Sequence, residues 1–245
     1  MVKFDRVIAL ASANKGGMAA LEELLAMTKS ASPAVIAAIP DDRLLSEMSR
    51  RIFQAGFSWK VVDDKWPAFE ELFAGFEPRV CAAMPEERFD ALLKDGRIIR
   101  NAAKIRSIVA NAGFILELAA AKGGSAKGGS AARFIADWPD SDYISLLDLF
   151  EKRASRLSGQ AAMRFLRSIG KPAFITTNAV VTALIREGVL TKPAVGKRDM
   201  KTIQDTFNAW SAESGRDLTE ISRIMAMSVV EDAPPLSKYY TRSMR

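Results

Sequence analysis

The side chains best suited to chemistry follow one another in a short run from Gln54 to Trp59. A glycine and a serine stand here between an amphipathic helical segment and a tryptophan, an unusual way for a chain to leave a helix. Such a turn can form the lip of a pocket, with the indole ring as a wall that stacks on a flat ligand. A core tryptophan is the commoner interpretation of the same pattern. The predicted pocket residues are Gln54, Gly56, Phe57, Ser58 and Trp59.

The counts of cysteine and histidine exclude several kinds of active site. Cys81 is the only cysteine, so the chain has no internal disulfide and no thiolate zinc cluster. It contains no histidine, which excludes a Ser-His-Asp triad, a Cys-His pair and any histidine-based metal site. We therefore expect no metal and no cofactor. Any catalysis must come from carboxylates, Lys, Tyr, Ser, Thr or bound water.

Basic residues outnumber acidic ones and favour an anionic partner. The net charge is +6 in 245 residues, with a pI of about 9.5. Such a balance favours nucleic acid, although many basic proteins bind none. Arg100, Lys104 and Arg106 form a basic stripe that either faces phosphates or is simply exposed. The acidic pairs Asp63-Asp64 and Glu70-Glu71 are interpreted as solvated helix faces.

A second candidate for phosphate binding is the turn Ser168–Pro172, in which Gly170 and Lys171 join two predicted helices. The first amides of a helix are unpaired and the helix dipole is positive there. Such a hairpin can therefore direct N–H groups at a phosphate. Corners between helices that bind no ligand are far commoner.

Hydrophobic residues recur with helical spacing along nearly the whole chain, and no alternation typical of strands persists beyond a few residues. We therefore predict an all-α protein. One helix is expected to open at Trp66-Pro67, another to cover 98–121 (as one helix or two abutting ones), and a third to cover 174–187. The repeat in 122–130 is typical of a flexible Gly-Ser loop. Residues 232–245 are expected to be extended or loosely ordered.

The composition is that of a globular protein, with 49% apolar and 26% charged residues. No apolar run approaches the roughly 18 residues that span a bilayer, and the first residues lack the layout of a signal peptide. We expect a cytoplasmic protein without membrane segments. Its length is compatible with one large domain or with two lobes.

The order of these motifs resembles the DNA-3-methyladenine glycosylase I family of the helix-hairpin-helix glycosylase superfamily. The resemblance covers about residues 41–190 and starts from the run Gln54–Trp59. It continues through Ile98-Ile99-Arg100-Asn101 and Lys104-Ile105, and Thr176-Thr177 fits the family's hairpin. It implies a helix-hairpin-helix glycosylase fold and damaged duplex DNA as the partner. The DNA contacts that it implies are Arg100, Asn101, Lys104, Gly170, Lys171, Thr176 and Thr177.

The chain departs from this family at positions that matter for chemistry. The family's zinc ligands are missing, and the helical segment 1–40 is expected to close that end of the fold by apolar packing. The glutamate that the family places four residues before the alanine of Gln-Ala-Gly is Arg51 here. The pocket tyrosine has no clear counterpart, and the hairpin glycine before Thr-Thr is Ile175. Residues 191–245 extend past the family's usual end as helices and a basic tail.

The resemblance implies base flipping followed by hydrolysis of the N-glycosidic bond of an alkylated purine. N3-methylated adenine is cationic and already leaves well, so the protein needs an aromatic wall, a hydrogen-bond partner for the base and a positioned water. Trp59 suits the wall through stacking and cation–π attraction. Arg51 cannot replace the glutamate, because a guanidinium has no acceptor and repels a cationic base.

The catalytic residue therefore stays open. Glu47 lies one helical turn before Arg51, and it either pairs with it or takes over the acceptor role. Alternatively Arg51 points elsewhere and another carboxylate lines the pocket, or the two residues form only a surface salt bridge. Two functions remain. We favour a zinc-free, monomeric glycosylase for 3-methyladenine or a related lesion, and the alternative is a catalytically inactive helical DNA-binding protein.

Overall fold

The computed structural model describes residues 3–121, 129–193 and 196–230. These residues form helices and turns without any strand, which confirms the all-α prediction. The Gly-Ser loop predicted for 122–130 lies largely outside the described residues, and the tail predicted for 232–245 lies entirely outside them. None of the helices in these ranges is both long and apolar enough to cross a membrane. The helices are α1 (Phe4–Lys15), α2 (Met18–Ala26), α3 (Pro33–Ala37), α4 (Asp41–Gln54), α5 (Trp59–Leu72), α6 (Pro78–Ala82), α7 (Glu86–Lys94), α8 (Ala102–Ala120), α9 (Ala131–Asp137), α10 (Tyr143–Arg153), α11 (Gly159–Ser168), α12 (Asn178–Arg186), α13 (Lys197–Ser214) and α14 (Leu218–Met227), with short 3₁₀ turns at Ala74–Phe76 and Asp140–Asp142.

The described residues divide into two compact units, neither of which is continuous in sequence. The first unit contains the described residues of Met1–Ser30, Pro139–Ile144 and Pro172–Arg245. The second contains those of Ala31–Trp138 and Ser145–Lys171. The domain boundaries drawn from the sequence after residues 40 and 190 stay a prediction.

The first unit is held by aromatic stacking and by a well-capped last helix. Phe4 of α1 stacks on Trp210 of α13 with 5.1 Å between ring centroids, and both side chains are fully buried. At the start of α14, the side chains of Asp217 and Glu220 each accept a hydrogen bond from the other's backbone N–H. This capping box pairs amides that a helix otherwise leaves free. Local hydrogen bonds therefore help to fix the start of α14.

The second unit contains an aromatic cluster between α4 and α5. Phe53 meets Phe69 edge-on at 4.7 Å between centroids, and Trp66 stacks on Phe69 at 4.9 Å. All three side chains are buried, and a fully buried aromatic ring stabilises a fold by up to about 3 kcal/mol. The cluster ties the end of α4 to α5, so it fixes the connection that contains Gly56 and Phe57.

The start of α5 corrects a prediction. The sequence predicts a helix that opens at Trp66-Pro67, but α5 begins at Trp59 and continues through Pro67. A proline inside a helix removes one backbone hydrogen bond and costs about 3 kcal/mol. Val62, Trp66 and Phe69 share one buried face of α5, and a continuous helix is needed to align them. Trp59 is therefore the first residue of a helix.

Two later helices begin after the predicted positions 98 and 174. At the start of α8 the side chain of Asn101 accepts a hydrogen bond of 3.1 Å from the backbone N–H of Lys104. At the start of α12 the hydroxyl of Thr177 accepts one of 3.3 Å from the N–H of Val180. Side-chain caps of this kind mark the first turn of a helix. The hydrophobic periodicity extended past both caps, so it placed these starts too early.

Candidate functional site

A cavity of about 220 Å³ lies in the second unit, beside the turn between α4 and α5. Trp59 forms one wall, and 47% of its surface is exposed. The indole thus stands at a cleft and not in the core. The cavity is smaller than the roughly 300 Å³ at which pockets for drug-sized ligands begin, a size that suits a single flat ring system. Its lining residues are Arg51, Gln54, Ala55, Trp59, Gln160, Ala161 and Arg164.

The turn that brings Trp59 to the cavity depends on one glycine. Gly56 has a φ of 84°, a left-handed conformation that L side chains rarely adopt. A Cβ on Gly56 would meet no atom within 4 Å, so the backbone angle alone requires glycine here. Phe57 follows with its ring 39% exposed, and Ser58 is the N-cap residue of α5 without a side-chain cap hydrogen bond. The turn therefore presents two aromatic rings, Phe57 and Trp59, to solvent.

Lys104 closes the C-terminus of α4, just before this turn. Its ammonium donates hydrogen bonds to the carbonyl oxygens of Ile52 at 2.8 Å, Phe53 at 3.2 Å and Ala55 at 2.6 Å. These carbonyls lie at a helix end and have no partner within the helix, where the dipole also favours a cation. Burial, and to a smaller extent the positive charge of Arg156, lower the pKa of Lys104.

This position corrects the prediction that Lys104 contacts DNA. The residue is 9% exposed, and its ammonium is surrounded by backbone oxygens. It also lies 4.6 Å from the ring centroid of Phe57, a distance at which cation–π attraction holds the ring in place. Lys104 therefore positions the turn and is not free for a phosphate.

Arg51 and Glu47 form an ion pair on α4, one helical turn apart. Oε1 of Glu47 accepts a hydrogen bond from Nε of Arg51 at 2.7 Å and lies 2.6 Å from Nη2. Nη1 of Arg51 donates to Oε1 of Gln54 at 2.9 Å. Nε2 of Gln54 in turn donates to Asp63 at 3.1 Å. The four side chains form a chain of hydrogen bonds that fixes the orientation of Gln54 at the cavity.

The sequence left open whether Glu47 pairs with Arg51 or replaces it as the acceptor in the pocket. In the structure the two side chains form an ion pair. The side chains of Glu47 and Arg51 are 21% and 19% exposed, so the pair is more sheltered than an ordinary surface salt bridge. Arg51 faces the cavity, whereas Glu47 is not among the lining residues. The lining residues include no carboxylate. Glu47 and Asp63 stand behind Arg51 and Gln54 in this hydrogen-bonded chain.

The helical hairpin at residue 170 does not offer free amides. The N–H of Gly170 donates to the carbonyl of Arg167 at 3.0 Å, and the N–H of Lys171 to that of Leu166 at 3.0 Å. Both bonds satisfy carbonyls at the C-terminus of α11, as in common helix ends. The prediction that these two amides face a phosphate is therefore wrong. The hairpin residues serve to end α11.

Gly170 and Lys171 have structural roles in the second unit. Gly170 accepts a hydrogen bond of 2.9 Å from the N–H of Ala31. A Cβ on Gly170 would lie 2.5 Å from the Cβ of Ala31, closer than real Cβ atoms come. Lys171 is 3% exposed and donates to the carbonyl oxygens of Ala136 and Trp138. The prediction that Lys171 contacts DNA is corrected for the same reason as for Lys104.

The remaining predicted DNA contacts differ in how accessible they are. Arg100 is exposed, and no described residue forms a hydrogen bond or ion pair with it. Asn101 and Thr177 use their side chains as helix caps, and Thr176 is half-buried. Ile175, at the position of the expected hairpin glycine, is buried, and its N–H donates to the hydroxyl of Ser222 at 3.1 Å. Of the predicted set, Arg100 has the side chain most available to a phosphate.

The sequence did not identify Gln160 and Arg164, which reach the cavity from α11. Arg164 lies with its guanidinium carbon 5.8 Å from the centroid of the Trp59 ring. The two residues are four apart, so they share one face of α11. The apolar residues of α11 lie on one side of the helix, so the sequence indicates that Gln160 and Arg164 share its polar face. The sequence does not show which helix this face contacts.

The residues that the structure describes contain no group of three or more His, Cys, Asp or Glu side chains able to hold a metal ion. Cys81 is buried, and burial raises the pKa of its thiol to about 12. A thiol with so high a pKa is neutral at physiological pH and is a poor nucleophile. Cys81 is therefore a packing residue.

Comparison with known proteins gives matches in the same stretch of sequence. Residues 36–137 match the methyladenine glycosylase family. A segment of 65 residues is 40% identical to DNA-3-methyladenine glycosylase 1 of Escherichia coli (strain K12), covering 26% of this chain and 35% of that protein. A segment of 59 residues is 39% identical to DNA-3-methyladenine glycosylase of Haemophilus influenzae, covering 24% and 32%. The chain thus spans about a third of the length of the curated relatives that it matches.

Solved structures give a weaker likeness. A crystal structure of 3-methyladenine DNA glycosylase I is 26% identical and covers 53% of this chain and 79% of that chain, with a TM-score of 0.44. A structure of the same kind of enzyme from Staphylococcus aureus is 22% identical and covers 56% and 82%, also with a TM-score of 0.44. At these scores the structural likeness adds nothing to the sequence matches.

Proposed function

We propose that this protein is a DNA glycosylase of base-excision repair, a function supported by the match of residues 36–137 to the methyladenine glycosylase family. It turns a damaged purine out of the duplex and hydrolyses the bond between base and sugar. Alkylated purines such as 3-methyladenine, which the names of the matched relatives specify, are the first substrates to test. Damaged duplex DNA is then the partner.

The observation that carries this proposal is the cavity beside Trp59. Its volume of about 220 Å³ suits one nucleobase, and an exposed indole ring forms a wall. Stacking of a base on an aromatic side chain contributes about 1–3 kcal/mol and tolerates any base, because every base has a π face. Phe57, exposed next to the cavity, adds apolar surface where a flipped nucleotide leaves the stack.

The chemistry asked of the site is the cleavage of one carbon–nitrogen bond. The bond between C1′ of the sugar and the base nitrogen breaks, and its electron pair leaves with the base. A water oxygen bonds to C1′, and the proton that this water loses passes to the solvent or to the departed base. The side chains near the cavity hold the base and orient that water. Trp59 stacks on the base, and the amide of Gln54, fixed by Arg51 and Asp63, lies at the same wall.

One observation favours the alternative of a DNA-binding protein without hydrolytic activity. The residues that line the cavity include no carboxylate, and Arg51 stands where the resemblance places a glutamate. A positive group at that position does not stabilise the positive charge that develops on the sugar. Whether the cavity hydrolyses the bond or only holds the base is therefore the central question for experiment.

The test is release of free base from DNA treated with a methylating agent. Duplex DNA is incubated with an excess of the protein, and released purines in the supernatant are identified by mass spectrometry. Release of 3-methyladenine above the rate without protein supports the proposal. Binding to a duplex with a stable abasic analogue, without release of any base at high excess of protein, establishes the alternative instead.

A further inference from the structure

Two guanidinium groups lie near the same indole ring. The guanidinium carbon of Arg51, on α4, is 5.5 Å from the ring centroid of Trp59, and that of Arg164, on α11, is 5.8 Å away. Both arginines line the cavity. They reach it from different helices, so a base bound in this cavity lies near both groups.

The two charges are not equally compensated. Arg51 is paired with Glu47 at 2.6 Å. Arg164 makes only a long hydrogen bond, 3.4 Å from its Nη2 to Oε1 of Gln160. Among the described residues no carboxylate lies within salt-bridge distance of Arg164. The cavity therefore carries about one uncompensated positive charge. Because the cavity is partly enclosed, this charge is screened less than it would be in bulk water.

The sign of this charge determines which kind of base leaves easily. A cationic N-alkylated purine becomes neutral when the glycosidic electron pair moves onto it, and a nearby cation disfavours its binding. A neutral purine instead becomes an anion unless it receives a proton or a hydrogen bond. A guanidinium donates hydrogen bonds to ring nitrogens or exocyclic oxygens and stabilises that developing negative charge. The water that bonds to C1′ supplies the proton that the departed base finally carries.

We propose that this cavity prefers neutral damaged purines with acceptor atoms on their edge, such as the oxopurine hypoxanthine, over cationic N-alkylated purines. Arg164 is the residue that sets this preference. The proposal rests on the proposed glycosylase function and concerns the order of rates among bases that the enzyme releases. Arg51, held by Glu47 and Gln54, contributes less because most of its N–H groups already have partners.

The experiment compares two duplexes under single-turnover conditions. One carries a single hypoxanthine, and the other carries 3-methyladenine and other cationic methylated purines. We expect hypoxanthine to be released at least about ten times faster than 3-methyladenine, relative to each base's rate without protein. Tenfold corresponds to about 1.4 kcal/mol of transition-state stabilisation.

Variants of Arg164 test its role directly. Arg164→Gln removes the charge and should slow the release of hypoxanthine about 100-fold, the low end of the roughly 100- to 1,000-fold loss that follows removal of one preorganised donor. The same variant should increase the release of 3-methyladenine, because it removes a cation from the cavity. Arg164→Lys keeps the charge and should retain part of the hypoxanthine activity. Arg153→Gln, an exposed arginine of the same unit that pairs with Glu117, is the matched control and should change neither rate.

The outcomes separate this inference from the proposed function. Release of 3-methyladenine without release of hypoxanthine overturns the preference and leaves the glycosylase function standing. An equal loss of both activities in Arg164→Gln also overturns it, provided that thermal denaturation shows the variant to be folded. No release of either base by the wild-type protein overturns both.

Discussion

The ammonium of Lys104 lies 2.6 Å from the carbonyl oxygen of Ala55, which is one residue before the glycine that turns the chain toward Trp59. This hydrogen bond joins α8 to the end of α4. The ammonium contacts Ala55, which lines the cavity, but Lys104 itself is not among the lining residues. Lys104, which the sequence predicts to contact DNA, thus acts as a structural support.

Replacing Lys104 should destabilise the fold without changing the electrostatics of DNA binding. Lys104→Met leaves several carbonyl oxygens at the end of α4 without a donor, which costs about 1–3 kcal/mol. We expect the free energy of unfolding in urea to fall by this amount. The slope of log K for duplex DNA against log salt concentration should stay the same, and a loss of about one unit would show that Lys104 does contact a phosphate.

The opposite result is expected for Arg100. Its side chain is exposed and has no partner among the described residues, so Arg100→Gln should change the free energy of unfolding by less than about 0.5 kcal/mol. If Arg100 contacts a phosphate, the salt slope for duplex binding should fall by about one unit. An unchanged slope would remove Arg100 from the proposed interface.

Trp59→Ala should reduce base release much more than it reduces stability. Loss of one stacking contact costs about 1–3 kcal/mol, so single-turnover release should slow by about tenfold or more. Because about half of the ring is exposed, the melting temperature should change little. Val61→Ala, which replaces another exposed apolar residue of α5, is the matched control. Equal effects of the two variants would place the substrate away from Trp59.

A carboxylate placed at residue 51 should improve the release of cationic bases. The double variant Arg51→Glu with Glu47→Gln puts the acid at the position that the resemblance implies and avoids two like charges one helical turn apart. We expect release of 3-methyladenine to increase at least about tenfold, since a carboxylate stabilises the positive charge on sugar and base. An unchanged or lower rate in a folded variant would show that the activity uses a different geometry.

Glu70 should make stability depend on pH in the acidic range. Burial raises the pKa of Glu70, but hydrogen bonds from Arg43 and Ser46 outweigh it and lower the pKa below the ordinary 4.5. A carboxyl group with a depressed pKa stabilises the fold above its unfolded pKa, and this contribution disappears as the pH falls through the folded pKa. Glu70→Gln should therefore lower the melting temperature at pH 7 by about 2–4 °C. The difference should shrink below pH 4.5, and a constant difference would contradict this account.

The helical class could be predicted because it depends on a local pattern. Apolar residues recur with helical spacing along nearly the whole chain. Helix starts were harder to predict, since Asn101 and Thr177 cap the first turn of a helix by side-chain hydrogen bonds that periodicity does not register. At Pro67 the local pattern predicted a helix start that the structure does not have. Burial of Val62 and Trp66 on one face of α5 outweighs the preference of proline for the first turn of a helix.

The cavity could be predicted only in part. The run Gln54–Trp59 indicated one wall, but the facing wall comes from Gln160 and Arg164 of α11, about a hundred residues later. Whether a lysine is exposed also depends on tertiary contacts. Lys104 and Lys171 look like surface cations in sequence, yet each donates to backbone carbonyls at the end of another helix.

The close approach of Gly170 to Ala31 has a consequence for how the chain is made. Ala31 is the first residue of the second unit and Gly170 the last but one, and a backbone hydrogen bond joins them. During synthesis the second unit can close only after residue 170 has left the ribosome. The segment Met1–Ser30 is made before the second unit, but most of the residues of its own unit follow Lys171, so it must wait for them. The order in which the units mature is therefore expected to be the reverse of the order in which they begin.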